Sequence, residues 1–387
     1  MMNYPPTPIQ IPHTPISAKT PVLKVLGLGG GGQNAVERMI ELGLGGIEFY
    51  VANSDAQVLH TSHAKEKIQL GRAITRGLGA GGDPKIGEEA AEESLAELTH
   101  ALTGADMVFL TAGMGGGTGT GSIPVAARVA RSLGAVVVAI VSMPFSFEVG
   151  RRQINARAGL AKLQEFTDTL ICVPNDRLLQ IAPTNLPLEM AFRMADDVLR
   201  QGIQGISELI TQPGLINVDF AHIQNMMKSG GGSLLAIGTG QGENRVNDAV
   251  EHALHHPMLE SIDLSEATGI IANFTGGNNL SFFEVVQSLN SLHEKTGGTA
   301  EIIPGIICDD KMEDRAQVIL VLTGIGTAVF DPTKAKPKRQ EPVTTKVFEE
   351  RVEVNSAADY GANPQARIEM TVPQSELDVP AFMRRRN

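Results

Sequence analysis

Short apolar runs alternate with amphipathic segments between residues 22 and 324, and this alternation is typical of an α/β protein. Runs such as residues 22–27 and 135–141 are apolar at almost every position, which indicates parallel strands buried on both faces of a sheet. We predict strands at residues 22–27, 47–52, 107–110, 135–141, 169–174, 230–238, 267–274, 301–308 and 317–324.

The amphipathic segments have apolar side chains at helical spacing. Residues 186–211 are apolar on most sides, so this helix is expected to lie buried between two bodies and not on a surface. Residues 85–98 are expected to form one long helix with a solvated acidic face. We predict helices at residues 34–42, 85–98, 124–133, 186–211, 246–256 and 280–292.

Composition narrows the class of protein. The chain has 387 residues, 42% of them hydrophobic, and no apolar run approaches the ~20 residues of a membrane helix, so we expect a cytoplasmic protein without direct membrane insertion. A net charge of −11 and the absence of Trp argue against a nucleic-acid partner. Cys172 and Cys308 both lie in apolar runs and are expected to be buried thiols, which leaves no set of cysteines for a metal site.

The most informative stretch is residues 111–122, TAGMGGGTGTGS, which joins a predicted strand to a predicted helix. Its six glycines remove side chains from the turn, so that backbone N–H groups can converge on an anion at the helix N-terminus. Thr118 and Thr120 add hydroxyl donors. We predict a phosphate-binding segment here and not a flexible linker, because strand and helix patterns adjoin it directly.

Two further glycine-rich loops precede that segment. Residues 27–32 follow the first strand, and residues 77–84 end in a proline that begins the acidic helix. The first loop alone fits a NAD-binding turn equally well, and Asp55 after the second strand could then bind a ribose hydroxyl. Three glycine loops exceed what a dinucleotide fold uses, and they suit a triphosphate held from several sides.

These motifs, above all GGGTGTG, resemble the tubulin/FtsZ family of GTPases, and the surrounding residues favour its FtsZ branch. The resemblance covers residues 22–329. It implies a Rossmann-type parallel-sheet GTPase domain, a long central helix and a second α/β domain. It also implies that GTP or GDP binds together with Mg²⁺, with K⁺ as a second candidate cation. The residues implied for the phosphates are Gly30, Gly31, Gly32, Asn34, Asp55, Ala80, Gly81, Gly82, Gly115, Gly116, Gly117, Thr118, Gly119, Thr120 and Gly121.

The same resemblance assigns residues to the sugar and the base. Glu148 and Arg152 match a motif that contacts the sugar, although their spacing alone suits a simple i,i+4 ion pair. Asn175, Phe192 and Asp196 match residues that contact guanine. Periodicity alone would make Phe192 a core residue. A carboxylate that faces two adjacent N–H donors selects guanine over adenine, and the resemblance gives this role to Asp196.

One position departs from the family pattern. The loop that reaches the nucleotide of the next subunit carries Asn-x-Asp-x-x-Asp in the family, and here Asn217 and Asp219 match while His222 replaces the last acid. A neutral imidazole has one acceptor and no negative charge. Because loss of a catalytic acid or base costs about 10²–10⁴-fold, we expect slow hydrolysis with GTP binding retained. His222 acting as the base, and His222 without any catalytic part, are the alternatives.

The resemblance also divides the chain. Residues 1–21 are expected to be a disordered proline-rich arm, 22–185 the GTP-binding domain, 186–212 the central helix, 213–330 an assembly domain and 331–378 a disordered linker. Residues 379–387 resemble a terminal peptide that docks on membrane-tethering division proteins. Its expected contacts are Pro380, Phe382, Met383 and Arg384.

The leading hypothesis is therefore a GTPase that assembles into head-to-tail filaments at the cell-division site, with an active site shared between subunits. The alternatives are a non-hydrolysing tubulin-like scaffold and, more distantly, a NAD-dependent dehydrogenase. The dehydrogenase hypothesis leaves residues 111–122, Asn175 and Asp196 without a role.

Overall fold

A computed structural model describes residues 20–148, 150–180, 182–183, 185–212, 218–228, 232–256 and 264–325. The predicted N-terminal arm up to residue 19, Val149, Asn217, the linker and the terminal peptide lie outside the described residues.

Strands and helices alternate through the first half of the chain. The strands are β1 (Leu23–Leu28), β2 (Ile47–Asn53), β3 (Glu66–Gln69), β4 (Met107–Gly113), β5 (Val136–Met143) and β6 (Thr169–Pro174). The helices are α1 (Gly29–Glu41), α2 (Ala56–His60), α3 (Arg72–Thr75), α4 (Pro84–Glu93), α5 (Leu95–Leu102), α6 (Thr118–Ser132), α7 (Arg151–Gln164) and α8 (Asn175–Leu178).

A 24-residue helix, α9 (Leu188–Thr211), leads into the second half. The remaining elements are α10 (Phe220–Lys228), β7 (Gly232–Gln241), α11 (Arg245–Leu254), β8 (Gly269–Gly276), α12 (Phe282–Lys295), β9 (Glu301–Cys308) and β10 (Arg315–Ile325).

The ten strands form one mostly parallel sheet in the order β3-β2-β1-β4-β5-β6-β7-β10-β8-β9. The strands from β3 to β6 are parallel to their neighbours, as βαβ connections require, and only β10 runs antiparallel to the strands beside it. The two halves of the sheet join where β6 pairs with β7 through Leu170↔Gly232 and Ile171↔Ser233. The predicted α/β class is confirmed.

Helix α9 packs on one face of the sheet across both halves. Its Leu199, Ile203 and Ile206 are fully buried in a core that contains Ile140 of β5 and Ile319 of β10. Gly202 and Gly205 bring the helix close, since a Cβ on Gly205 would lie 2.9 Å from the Ile319 side chain. The expected burial of this helix holds for the side that faces the two halves of the sheet, whereas Asp197 on the other side is 40% exposed. Separate cores cover the opposite face of each half.

The predicted helix at residues 85–98 is wrong as a single element, because the chain breaks at Ser94 into α4 and α5. The buried Ser94 hydroxyl accepts a hydrogen bond from Gly71 N (3.0 Å), and the Glu93 carboxylate accepts from Ala73 N (2.8 Å) and Ile74 N (3.1 Å). These contacts to the start of α3 override the local helical pattern.

The prediction for Cys308 is also wrong. Cys172 is buried, and burial raises the pKa of its thiol to about 12, whereas Cys308 is exposed. Cys308 is the last residue of β9, an edge strand, where it pairs with Gly276 of β8 on one side. Within the described ranges, no helix has both the length and the apolar character to cross a membrane.

Candidate functional site

The candidate site lies where two helices begin at the carboxyl ends of adjacent parallel strands. Strands β1 and β4 pair as far as Leu28↔Ala112, and α1 starts at Gly29, directly after β1. Gly29 has φ 68°, and a Cβ there would lie 2.7 Å from Gly119 N in the first turn of α6. Only glycine therefore allows the two helix N-termini, with their unpaired N–H groups and positive dipole ends, to approach one another.

Both helices begin earlier than their apolar patterns predict. Helix α1 starts at Gly29 and not at residue 34, and α6 starts at Thr118 and not at residue 124. The glycines expected to form turns thus form the first helical turns, and Pro124 lies inside α6. The predicted anion site consequently consists of helix N-termini to a greater extent than the sequence indicates.

A cavity of about 370 Å³ opens at this edge of the sheet. Its size is in the range of small-molecule sites. Sixteen of the twenty predicted nucleotide-binding residues line it: Gly30, Gly31, Asn34, Asp55, Ala80, Gly81, Gly82, Gly116, Gly117, Thr118, Gly119, Glu148, Arg152, Asn175, Phe192 and Asp196.

The other four predicted residues, Gly32, Gly115, Thr120 and Gly121, do not line the cavity. Cβ atoms on Gly32 and Gly121 would lie 2.2 Å from Thr111 O and 2.0 Å from Pro84 O, so these glycines allow close packing of the backbone. Thr120 Oγ1 accepts a hydrogen bond from Gly115 N (2.8 Å) and so fixes the turn before α6. These four residues therefore fix the backbone around the cavity, although they do not line it themselves.

The sequence analysis did not predict ten of the residues that line the cavity. Leu78 and Gly79 lie in a loop already singled out for its glycines, and Gly113 lies in segment 111–122. Asn53 and Ser142 lie at or near the carboxyl ends of their strands, a position that could have indicated them. The complete set is Asn53, Val58, Leu78, Gly79, Gly113, Met114, Ser142, Met143, Pro144 and Ala195.

Open space inside the glycine segments marks where a ligand fits. A Cβ at Gly116, Gly81 or Gly82 would meet no heavy atom within 4 Å, although these residues line the cavity. Thr118 adds a hydroxyl, held 2.5 Å from Ser54 Oγ. The lining is suited to an anion that is bound by backbone N–H groups and a hydroxyl.

The predicted sugar pair forms an ion pair within the chain. Arg152 Nη1 lies 2.9 Å from Glu148 Oε2, and Glu148 Oε1 accepts from Phe145 N (2.9 Å). The ion-pair interpretation of the spacing therefore holds, and both side chains also line the cavity.

Three phenylalanines meet at the start of α9. The ring centroid of Phe192 lies 5.3 Å from that of Phe145, edge-on, and Phe147 stacks on Phe145 at 5.0 Å. Phe145 is fully buried and Phe147 is half exposed. Phe192 is therefore held by aromatic contacts while it lines the cavity, a position open to a planar base.

Two polar side chains line the cavity together with Phe192. Asn175 is buried, and its Oδ1 has no hydrogen-bond partner within the described ranges. Desolvation raises the pKa of the Asp196 carboxyl to about 7; the positive charge of Arg38 opposes this rise and the negative charge of Asp197 adds to it. The unpaired Oδ1 of Asn175 and the carboxyl group of Asp196 fit a ligand that presents N–H donors, as guanine does at N1 and N2.

Formal charge in the lining is mostly negative, since Arg152 is accompanied by Asp55, Glu148 and Asp196. Asp55 Oδ1 also caps α2 by accepting from Gln57 N (2.9 Å) and Val58 N (3.2 Å). Both hydrogen bonds of this cap use Oδ1, and Asp55 also lines the cavity.

Asp219 and His222 lie away from this cavity. Helix α9 carries Phe192 and Asp196 near its start, and at its end Thr211 contacts Gly46, just before β2. Helix α10 follows, and its Met227 O accepts from Thr169 Oγ1 at the start of β6 (2.8 Å). Both contacts lie at the amino ends of the parallel strands, opposite the cavity.

His222 has an unexpected neighbour. Its Nε2 lies 2.5 Å from Oε1 of Glu301, the first residue of β9, and both side chains are about half exposed (51% and 59%). Asp219 is exposed, and its backbone carbonyl accepts from His222 N (3.0 Å).

Comparison with known proteins agrees with this arrangement. Residues 22–183 match the Tubulin/FtsZ family, GTPase domain, and residues 231–326 match the FtsZ family, C-terminal domain. An FtsZ dimer from M. jannaschii is 42% identical, with a TM-score of 0.76 over 80% of this chain and 89% of that one. A single-residue variant of the M. jannaschii FtsZ is 43% identical, with the same TM-score over 79% and 92%.

More distant structures share the fold. CetZ1 from Haloferax volcanii, a GDP-bound monomer, is 21% identical with a TM-score of 0.68 over 79% of this chain and 95% of that one. CetZ2 from the same organism, a GTPγS-bound protofilament, is 19% identical with a TM-score of 0.66 over 79% and 94%.

Proposed function

The chain belongs to the tubulin/FtsZ family of GTPases, and we propose that it binds GTP, assembles head-to-tail with copies of itself and hydrolyses GTP at the junction between subunits. The observation that carries this proposal is the separation of the nucleotide-sized cavity from Asp219 and His222 along α9.

Guanine nucleotide is the ligand that the cavity supports best. The helix N-termini of α1 and α6 suit the phosphates, while Asn175, Phe192 and Asp196 suit a base with adjacent N–H donors. Because the cavity has a single guanidinium and three carboxylates, we propose that Mg²⁺ accompanies the phosphates to offset their charge, with K⁺ as a further candidate.

The length of α9 supports hydrolysis between subunits. Asp196 and Thr211 are separated by about 22 Å of helix, and α10 begins beyond that end. Asp219 therefore cannot reach the nucleotide of its own subunit without refolding. A second copy stacked head-to-tail would bring Asn217, Asp219 and His222 to the neighbour's γ-phosphate. The similar FtsZ structure from M. jannaschii is a dimer.

We propose that turnover is slow for the family because His222 stands where the pattern has an acid. Two carboxylates would attract both a cation and the attacking water, and an imidazole replaces one of them here. A non-hydrolysing scaffold is the second candidate, favoured by the same substitution, and phosphate release separates the two.

The place of action is proposed from the family resemblance. We propose a filament at the cell-division site, tethered through Pro380, Phe382, Met383 and Arg384 to membrane-bound division proteins. This terminal peptide lies outside the described residues.

Sedimentation and phosphate release with GTP, GDP and ATP test the proposal. We expect pelleting and phosphate release with GTP and neither with ATP. Asp219→Asn should still bind GTP, because Asp219 does not line the cavity, while its phosphate release should fall about 100-fold or more.

Glu243→Gln is the matched control, since it removes an exposed carboxylate from the same half of the chain and should leave both readouts unchanged. Loss of GTP binding in Asp219→Asn, or an unchanged rate of phosphate release, would contradict a role in the neighbour's site.

A further inference from the structure

The ion pair between His222 and Glu301 joins two elements that are distant in sequence. His222 lies in the first turn of α10, Glu301 begins β9, and the Nε2–Oε1 distance is 2.5 Å. Asp219 is the carboxylate nearest in sequence, and its Oδ1 accepts from Ala221 N (3.1 Å). The surface that carries Asp219 and His222 thus contains a second carboxylate that the sequence motif does not include.

A carboxylate on one imidazole nitrogen determines what the other nitrogen can do. When Glu301 accepts the proton on Nε2, the neutral ring has its lone pair on Nδ1. The carboxylate also stabilises the imidazolium that forms when Nδ1 takes up a proton, as the aspartate of a Ser-His-Asp triad does for its histidine. The contact therefore converts an exposed histidine into an oriented base.

We propose that Glu301 is a positioning residue for hydrolysis: it holds His222 so that Nδ1 accepts a proton from the water that attacks the neighbouring subunit's GTP. This inference rests on the proposed function. The water oxygen bonds to the γ-phosphorus, the bond from that phosphorus to the β–γ bridging oxygen breaks, and GDP leaves with the electron pair. The water proton passes to Nδ1 and then to solvent.

A purely structural role for the pair is the competing explanation. Ion pairs between half-exposed side chains contribute little to folding stability, so removing this one should not unfold the chain. The two roles differ in how the effect of Glu301 depends on residue 222. Beside histidine the carboxylate helps hydrolysis, whereas beside an aspartate at position 222 it would face a like charge and hinder it.

The experiment compares four proteins, wild type, Glu301→Gln, His222→Asp and the double variant His222→Asp/Glu301→Gln, in GTP-dependent pelleting and phosphate release per pelleted subunit. We expect Glu301→Gln to slow phosphate release about tenfold in the histidine background. In the aspartate background the same change should accelerate release about fivefold. Glu294→Gln, which removes an exposed carboxylate of α12, should change neither rate.

Equal slowing in both backgrounds, or no change in either, would overturn the positioning role of Glu301. With either outcome the wild-type protein would still pellet with GTP and release phosphate. If the proposed function itself failed, the wild-type protein would do neither, so the two failures can be distinguished.

Discussion

At the scale of single residues, the proposed recognition of guanine by Asp196 opposes the stability of the unbound fold. Burial raises its pKa to about 7, so the unbound folded protein holds a proton there at pH values at which the unfolded chain does not. Stability from this group is therefore greatest at low pH and is lost as the pH rises through 7. Guanine needs the ionised form, since only a carboxylate accepts from both N–H donors.

Asp196→Asn should separate the two effects. We expect the melting temperature of the unbound variant to exceed that of the wild type by about 2 °C or more at pH 8, and by less at pH 6. GTP affinity should fall, and the decline in wild-type affinity from pH 8 to pH 6 should disappear. Thermal melts and nucleotide titrations at both pH values measure this.

Asp197→Asn is the matched control, because Asp197 is the adjacent residue and does not line the cavity; its carboxylate is 40% exposed and forms an ion pair with Arg200 (2.7 Å). If Asp197→Asn lowers GTP affinity as much as Asp196→Asn does, or if Asp196→Asn keeps full GTP affinity, Asp196 does not have the proposed contact with guanine.

The family resemblance predicted Asn175, Phe192 and Asp196 as contacts of the base, and all three side chains line the cavity. Glu301 could not be predicted, since 79 residues separate it from His222 and only the packing of β9 beside α10 brings them together.

At the scale of elements, the proposed phosphate-binding end depends on the contact between α4 and α6. Cβ atoms on Gly87 of α4 and Gly121 of α6 would lie 2.3 Å from Gly117 O and 2.0 Å from Pro84 O. The two helices therefore touch backbone to backbone, and this contact fixes the position of the first turn of α6 below the cavity.

Gly121→Ala should force α4 and α6 apart. We expect the free energy of unfolding to fall by about 2 kcal/mol or more, and GTP affinity to fall because the N-terminus of α6 moves. Gly45→Ala is the control, since a Cβ there meets no atom within 4 Å and should change stability by about 0.5 kcal/mol at most. Denaturant titration distinguishes the two, and equal effects would refute the close-contact argument.

Apolar periodicity predicted every long strand and the central helix, whose signals are strongest. It missed β3, whose sequence EKIQ is mostly polar, as well as α7 and α10. It also missed the break between α4 and α5 at Ser94. The Ser94 hydroxyl accepts a hydrogen bond from Gly71 N, 23 residues earlier in the chain, and a local pattern does not show this contact.

At the scale of the whole molecule, the sheet and α9 hold the cavity and the surface that carries Asp219 and His222 at opposite ends. The carboxyl edge of the sheet carries the nucleotide cavity, and the amino edge carries Asp219, His222 and Glu301. Because β6 pairs with β7 and α9 packs across both halves, the ends are held at a fixed separation. Under the proposed function, a subunit alone has no complete site.

The most direct test of this account is the rate of phosphate release per subunit as a function of protein concentration, with pelleting measured in parallel. We predict almost no release below a threshold concentration and a rise above it that follows the pelleted fraction. A rate per subunit that is the same at all concentrations, including those at which nothing pellets, would mean that each chain hydrolyses its own GTP and would contradict the account.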